Sequence, residues 1–567
     1  MSTLFELTCI LTALGLFASA KTYQPVMAGG LALLASAGLA RLARRRRLIE
    51  PTPLDRPLAL FLLSGLIGLA VTYDLGTSLA RFCLILGGVA LYYAVSGASF
   101  RVRLAVAGGL VLFASALALY LVTQQNPLAQ VGAGKFAPLG AVAASIRDRA
   151  PQLHLYQPHP NIVAGVLEVG LITGAGLLGI ARRASWLMSG LLAAGLGLIG
   201  FGLLLSGARG AWLAAGLAGL GWALSDMRRA NRLRTLDALA LALILGSTLL
   251  LLLLAFRGPG ELPLAGRLAS RLELYNSAGR LVRDYALTGA GLGTFPLLYS
   301  AYVLGIDVVK QNHAHNLYLS VWLEQGLLGL IALLWLGFAF FRAYWPPLIP
   351  LAPFSPRLQG EKGERRPKSA LDPLDRRRTQ AQRLLASAAF WAMVAVFVHG
   401  LIDSTHYNSR FLFVVFIPLG LAGALRQQRY RNSRLHLHQC LTGSSSSYLS
   451  LRSSRPTPGV GVRAWRPALA RSGNVALGTL GGVLLLALLV WGRTPVLAVW
   501  YANLGAVAQA KIELGDYRWP DRIPSRVRAT ADLSGPRRYF EQTLALSPDN
   551  ATARERLEMI RLAESRK

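Results

Sequence analysis

The sequence predicts an all-α membrane protein of about thirteen transmembrane helices. Three observations carry that expectation. Hydrophobic residues make up 53% of the 567 positions while charged residues make up 15%. Mean hydropathy is +0.43. The apolar residues are gathered into many separate long runs, and these runs rather than residue count per domain set the architecture.

A helix that crosses the hydrocarbon core needs roughly 20 mostly apolar residues, because every backbone N–H and C=O must find its partner inside the segment. Runs of this kind lie at approximately 4–20, 25–40, 57–73, 78–96, 104–123, 161–180, 186–205, 211–225, 236–256, 317–341, 386–402, 411–425 and 475–492. The first lacks a basic segment before it and a small-residue cleavage site after it, and a second apolar run follows at once. It reads as a retained helix and not a cleaved signal peptide.

The formal net charge is +32, and its placement gives an orientation. Arginines and lysines are concentrated in alternate loops. Six lie between Arg41 and Arg56, with Arg101 and Arg103, Arg182 and Arg183, and four from Arg228 to Arg234 following. Ten more fall in 342–385 and nine in 426–474. Short cytoplasmic loops retain positive charge, so one choice of parity satisfies the whole series, with the N-terminus cytoplasmic and the C-terminus extracytoplasmic. This distribution also argues against nucleic acid as a partner, which would require the basic groups on one folded face with aromatic residues among them. They follow the bilayer instead, in a multi-pass protein of the cell inner (cytoplasmic) membrane.

Cys9, Cys83 and Cys440 are too few and too scattered for a disulfide framework or a thiolate metal site, and read as packing residues. The stretches at about 355–385 and 430–473, rich in Arg, Pro and Ser, read as flexible cytoplasmic linkers that contact anionic headgroups. The expected organisation is therefore a transmembrane domain over 1–425, a linker over 426–474, a last transmembrane helix over 475–492 and an extracytoplasmic helical segment over 493–567.

The longest outward segment runs from about 257 to 316 and gathers Arg257, Arg267, Arg271, Arg280, Arg283, His313 and His315. From Arg271 to Arg283 the apolar spacing predicts a helix, with Leu272, Tyr275 and Leu281 facing membrane or core. Gly289, Gly291 and Gly293 then end it. Their Gly-x-Gly-x-Gly run has no preceding buried strand and no acid at the spacing a dinucleotide site needs, so a tight turn close to a neighbouring helix or a substrate is the expectation.

The next string is His313-Ala-His315-Asn316-Leu-Tyr318-Leu-Ser-Val-Trp322-Leu-Glu324-Gln-Gly326-Leu-Leu-Gly329. His315-Asn316, nine residues, then Gly326-x-x-Gly329 resembles the pattern of the O-antigen ligase and polymerase superfamily, bacterial membrane enzymes that transfer glycans. A helix beginning at the histidine puts His315 and Gly326 on one face. Other pieces agree in order: His159-Pro160-Asn161 opening a helix, Ser206-Gly-Ala-Arg209 at an outer helix junction, Arg271 ahead of Tyr275 where the family usually has Trp, and Thr288 through Phe295. The resemblance covers roughly residues 1–425.

Chemistry read from the residues points the same way. Guanidinium groups hold phosphate oxygens bidentately and keep their charge at any physiological pH, so outward arginines suit a diphosphate. No outward carboxylate cluster of the Asp-x-Asp kind stands ready for a divalent metal, and transfer is expected to be metal-independent, with no cofactor. An imidazole titrates near neutrality and suits the removal of a proton from a sugar hydroxyl.

The resemblance implies a polyprenyl-diphosphate-linked glycan as donor and a glycan or protein as acceptor. It implies His315 as acceptor activator and Arg209 and Arg271 as diphosphate ligands. Arg280, His313, Asn316 and Tyr275 complete the expected substrate-binding set. Each has a structural alternative: a turn cap for Arg209, a headgroup anchor for Arg271, an interfacial helix cap for His315. Asp403 and His406, in the outward loop before Arg410, are further candidates to line the cavity.

Beyond the last apolar run, Tyr501-x-x-Leu504-Gly505-x-x-Ala508 and Phe540-(x7)-Pro548 resemble the halves of one tetratricopeptide repeat. One such pair has a face to bury, and either caps the domain, docks on the outward loop or binds a protein partner. The expected activity is transfer of a preassembled glycan, by ligation or by polymerisation, or onto protein hydroxyls as in other members of the superfamily. The rival class is a small-anion transporter, which would place its charged groups near mid-membrane.

Overall fold

The computed structural model describes residues 2–19, 24–45, 51–125, 137–151, 158–229, Gly246, 264–344, 373–423 and 493–565. Two compact units are present: Met1–Leu425 with Glu513–Ser525, and Arg426–Ile512 with Arg526–Lys567. Among the described residues the named elements are helices and no strand is present.

In the first unit the helices are α1 (Ser2–Ser19), α2 (Gln24–Arg45), α3 (Asp55–Val71), α4 (Leu75–Ser96), α5 (Phe100–Gln124), α6 (Ala137–Arg149) and α7 (Pro160–Ala181). They continue with α8 (Trp186–Leu205), α9 (Arg209–Arg229), α10 (Leu264–Asp284), α11 (Phe295–Tyr299), α12 (Leu317–Tyr344), α13 (Pro373–His399) and α14 (Phe413–Ala422). Among the described residues six segments are long and apolar enough to cross a membrane: α4, α5, α7, α8, α12 and Arg377–His399 of α13. Shorter apolar helices occupy Leu4–Phe17, Val26–Ala40, Phe295–Leu304 and Arg410–Ala422. The all-α membrane class is thus observed, but the described spans do not reach the thirteen expected. Apart from Gly246, the runs at 236–256 and 475–492 and the linker at 426–474 lie outside the described residues.

Helix α7 is central. It packs against α5, α8, α9 and α13, and its inward faces carry small residues, with Gly170 against Ala114 and Gly176 against Ala388. Small side chains let transmembrane helices approach closely where there is no hydrophobic drive between them. Its entry is built as the sequence suggested: His159 is the N-cap, with Nδ1 accepting from Asn161 N at 3.2 Å, and Pro160 stands at the first helical position. By contrast, α8 shows much of its apolar surface, with Trp186, Leu187, Met188 and Leu191 all exposed. On a spanning helix this is a lipid-facing wall.

The segment from His315 to Gly329 holds the largest departure from sequence expectation. Helix α12 begins at Leu317, after the histidine, and is broken at Gly326, whose φ of 69° is left-handed. His315 precedes it with a left-handed φ of 50°. His315 and Gly326 therefore do not share a helix face, because neither residue has helical backbone. The break leaves carbonyls without intrahelical partners, and the glycine turn supplies them. Ala290 N donates to Leu323 O at 2.7 Å and Gly291 N to Glu324 O at 3.2 Å, while Leu327 N donates to Ala286 O at 2.9 Å. A Cβ on Gly289 would lie 2.6 Å from Gly326 N, and one on Gly326 would collide with Leu287 O. The turn thus makes a close approach to a helix, and it splices the loop into the helix break.

Helix α10 forms where the spacing predicted it. Leu281 is buried and Tyr275 half-buried, but Leu272 is exposed at 58%. The first unit also includes Glu513–Ser525: Tyr517 donates its hydroxyl to Asp307 O at 2.7 Å, and Ser525 donates from N and Oγ to the Asp307 carboxylate at 3.0 and 2.6 Å.

In the second unit α15 (Arg493–Leu514), α17 (Ser534–Leu546) and α18 (Ala551–Glu564) form the described core; a short α16 (Pro524–Thr530) lies between α15 and α17. Phe540 is fully buried with Leu557 and Ile560, and its ring lies where Gly505 leaves no side chain. Asn550 caps α18 by accepting from Ala553 N.

Candidate active site

The turn 399–406 following α13 organises the site. His399 O accepts from Ile402 N and Asp403 N, each at 2.8 Å. On one side Leu317 N donates to Gly400 O at 2.7 Å, Asn316 Nδ2 to Leu401 O at 3.1 Å, and Tyr275 Oη to Ile402 O at 3.2 Å and His315 O at 3.0 Å. Asn316 Oδ1 also accepts from Leu319 N, capping α12. Tyr275 and Asn316 thus brace backbone, and through it the histidine.

Asp403 sits at the centre. Its Oδ1 is 3.1 Å from His315 Nδ1 and 3.4 Å from His313 Nε2, and accepts from Ser404 N at 2.7 Å. Its Oδ2 accepts from Asn161 Nδ2 at 3.2 Å. The rings of His313 and His315 lie 4.1 Å apart. Burial alone would raise the Asp403 carboxyl, but contacts from His313 and His315 and their charges hold it well below the usual carboxylate range. Burial lowers His315, with the nearby His313 and Arg271 adding to this, while Asp403 partly offsets it; the net direction is below the ordinary imidazole value. At neutral pH the ring is thus neutral, with Nδ1–H facing the carboxylate and Nε2 bearing the lone pair.

Arg271 stands near this pair, acting electrostatically on both His315 and Tyr275, and its Nη1 is buried with no hydrogen-bond partner. A buried guanidinium nitrogen of this kind is suited to an anionic oxygen. Arg209 opens α9 and is half-buried, and the adjoining Gly210 packs on the His399 ring and Ile402. Arg280 lies farther along α10, exposed, and donates to Ser277 Oγ at 3.3 Å. The structure therefore brings together His315, His313, Tyr275, Asn316 and Arg271. It sets Arg209 beside the turn and leaves Arg280 at the surface.

Several members of this arrangement carried little signal in the sequence. In the sequence Asp403 and His406 stand together as further candidates, but His406 turns away from Asp403, toward Glu168. Arg81, a lone arginine near the start of an apolar run, donates to Tyr407 O at 2.9 Å and Asn408 O at 2.8 Å and so pins the segment beyond the turn. Asn408 Nδ2 in turn reaches Ser320 Oγ and Ser404 Oγ. A cavity of about 500 Å³ opens beside it, lined by Thr77, Arg81, Arg410, Met27, Ile162 and Phe411 among others.

Among the described residues two sets of side chains have the donor types to hold a metal ion: His313, His315 and Asp403, and Glu168, His399 and His406. In each the candidate ligand atoms lie within 4.8 Å of one another. In both, imidazole nitrogens converge on one carboxylate oxygen, a hydrogen-bonding geometry that also accounts for the closeness.

Residues 194–334 match the family model described as O-antigen ligase. This stretch contains Arg209, Arg271, Tyr275, Arg280, His313, His315 and Asn316, and it supports placement in the O-antigen ligase superfamily. The spans of the described residues make the chain a multi-pass membrane protein, and the matched stretch is similar to the O-antigen ligase domain. No curated protein matches the chain.

Proposed function

We propose that this protein transfers a preassembled glycan from polyprenyl diphosphate to an acceptor hydroxyl at the outer face of the cytoplasmic membrane, without a metal. The acceptor is a lipid-linked glycan or another component of the cell envelope. The observation that carries this reading is the His315–Asp403 pair beside the buried, unpartnered Nη1 of Arg271.

In the reaction the acceptor oxygen attacks C1 of the donor sugar. The C1–O bond to phosphate breaks, and polyprenyl diphosphate leaves with the bonding electrons. The acceptor proton passes to Nε2 of His315. Asp403 fixes the tautomer that leaves Nε2 free and stabilises the imidazolium that forms. Arg271 and Arg209 meet the charge that grows on the leaving diphosphate, a role for which fixed cationic donors are effective in a water-poor site. The cavity beside Arg81 and Arg410, with its apolar wall of Met27, Ile162 and Phe411, is suited to an anionic headgroup entering from the bilayer. Arg280 then acts at the surface.

The test is glycan transfer in proteoliposomes with a polyprenyl-diphosphate glycan, candidate acceptors and EDTA. Transfer by the wild type that is lost in folded His315→Ala and Arg271→Ala supports the reading. Transfer abolished by EDTA and restored by a divalent cation would instead favour a metal at the His313, His315 and Asp403 set.

A further inference from the structure

Glu168 is the one acid in α7, about two turns inside a helix otherwise made of apolar and small residues. It is fully buried. Two imidazoles converge on its Oε1, His399 Nδ1 at 3.1 Å and His406 Nε2 at 3.0 Å, and the latter also lies 3.1 Å from Gly165 O. Glu168 Oε2 and His406 Nδ1 are buried without partners. A carboxylate in this setting has a large desolvation cost, which packing alone does not explain, since an apolar residue of similar volume would fill the space at less cost.

The two histidines are the first and last residues of the turn that carries Asp403. On its other side that turn is gripped by Tyr275, Asn316 and Leu317 through the carbonyls of residues 400–402. All five described histidines, His159, His313, His315, His399 and His406, bear on either Asp403 of the turn or Glu168 of α7. We propose that Glu168, His399 and His406 form a buried positioning unit that fixes the 399–406 turn and thereby holds Asp403 against His315 during glycan transfer. None of the three touches the reacting atoms; they act through Asp403. The activity part of this inference rests on the transferase reading above, whereas the geometric part does not.

Glu168→Gln keeps the size and one acceptor oxygen but removes the charge that draws both imidazoles. In proteoliposomes, kcat is expected to fall roughly 10- to 100-fold, the range common for groups that orient a reacting ligand, with KM for the donor within about twofold. The groups facing His315 and Asp403 are His159, Asn161, His313 and Arg271; those facing His399 are Glu168, Asp403 and Arg271. As Asp403 loosens, its upward influence on His315 weakens, so the acid limb of the kcat–pH profile moves to lower pH. In an Asp403→Asn background Glu168→Gln has no additional effect, because the two act in series.

A structural role alone would lower activity in both backgrounds and leave the limb in place, which would overturn the proposal. So would wild-type kcat in Glu168→Gln, or one equivalent of bound zinc lost in that variant. A second measurement is independent of transfer. With ¹⁵N-histidine-labelled full-length protein in nanodiscs, the His315 Nδ1 signal is expected to shift in Glu168→Gln while size-exclusion behaviour is retained. An unchanged signal overturns the proposal, and a shift in a protein that transfers no glycan sustains it while removing the transferase reading.

Discussion

Asp403 and Glu168 are both buried carboxylates that draw two imidazoles each, and both are tied to the 399–406 turn, yet they differ in what surrounds them. Asp403 has both oxygens engaged, by Asn161 on one and by Ser404 N and His315 on the other. Its histidines retain some exposure, 20% for His313 and 18% for His315. The histidines of Glu168 have almost none, 2% and 6%. A histidine that reacts with a substrate must be reachable, and one that holds a backbone turn need not be. The contrast matches the roles proposed for them, a reacting pair at His315 and Asp403 and a positioning set at Glu168, within a few residues of chain.

The largest expected effect comes from removing the reacting imidazole. His315→Ala lowers kcat by roughly a hundred- to ten-thousand-fold, the usual range for a general base, measured as transfer by a variant whose membrane insertion and size-exclusion profile match the wild type. Arg271→Lys keeps the charge but loses the fork of donors. It is expected to reduce kcat/KM by about a hundredfold if the guanidinium meets the leaving diphosphate in the transition state, and a loss under threefold would reassign Arg271 to headgroup contact. Gly326→Ala tests the splice between α12 and the glycine turn. Backbone at φ 69° and ψ −171° costs a residue with a Cβ about 1–3 kcal/mol, and collision with Leu287 O adds to that, so the thermal midpoint in detergent falls by several degrees and less folded protein is recovered. Arg280→Ala is the smallest change, with transfer within twofold of wild type, because the side chain is exposed and engaged with Ser277.

Much of this architecture was legible in the sequence because membrane physics writes it there. Apolar runs marked helices such as α4, α5, α7, α8 and α12. His159 and Pro160 announced the start of α7, and the order of short motifs around His315 pointed to the segment in which His313, His315, Tyr275 and Arg271 come together. The backbone of that segment was not legible. A helix rule applied to His315 and Gly326 assumed regular φ and ψ, whereas the glycine turn supplies alternative partners for the carbonyls of residues 323 and 324 and so permits the break. The partners of the histidines were legible only in part. Asp403 lies 88 residues from His315, and Glu168 lies 231 from His399, distances over which no local period operates. Glu168 did leave one signal, a single acid within an apolar run, which in a membrane is costly enough to imply a partner.

The most direct test of the central claim is the pH dependence of kcat for wild type and Asp403→Asn in the same proteoliposomes. His315 is held below its ordinary value of about 6.5 by burial, with Asp403 partly opposing. Activity as a base appears as pH rises through that value. The expectation is a wild-type acid limb below about pH 6.5, and in Asp403→Asn a limb displaced further down with a plateau lower by roughly a hundred- to ten-thousand-fold. A limb that stays in place in Asp403→Asn, or a plateau that equals the wild type, would contradict the assignment of His315 and Asp403 as the proton-accepting pair.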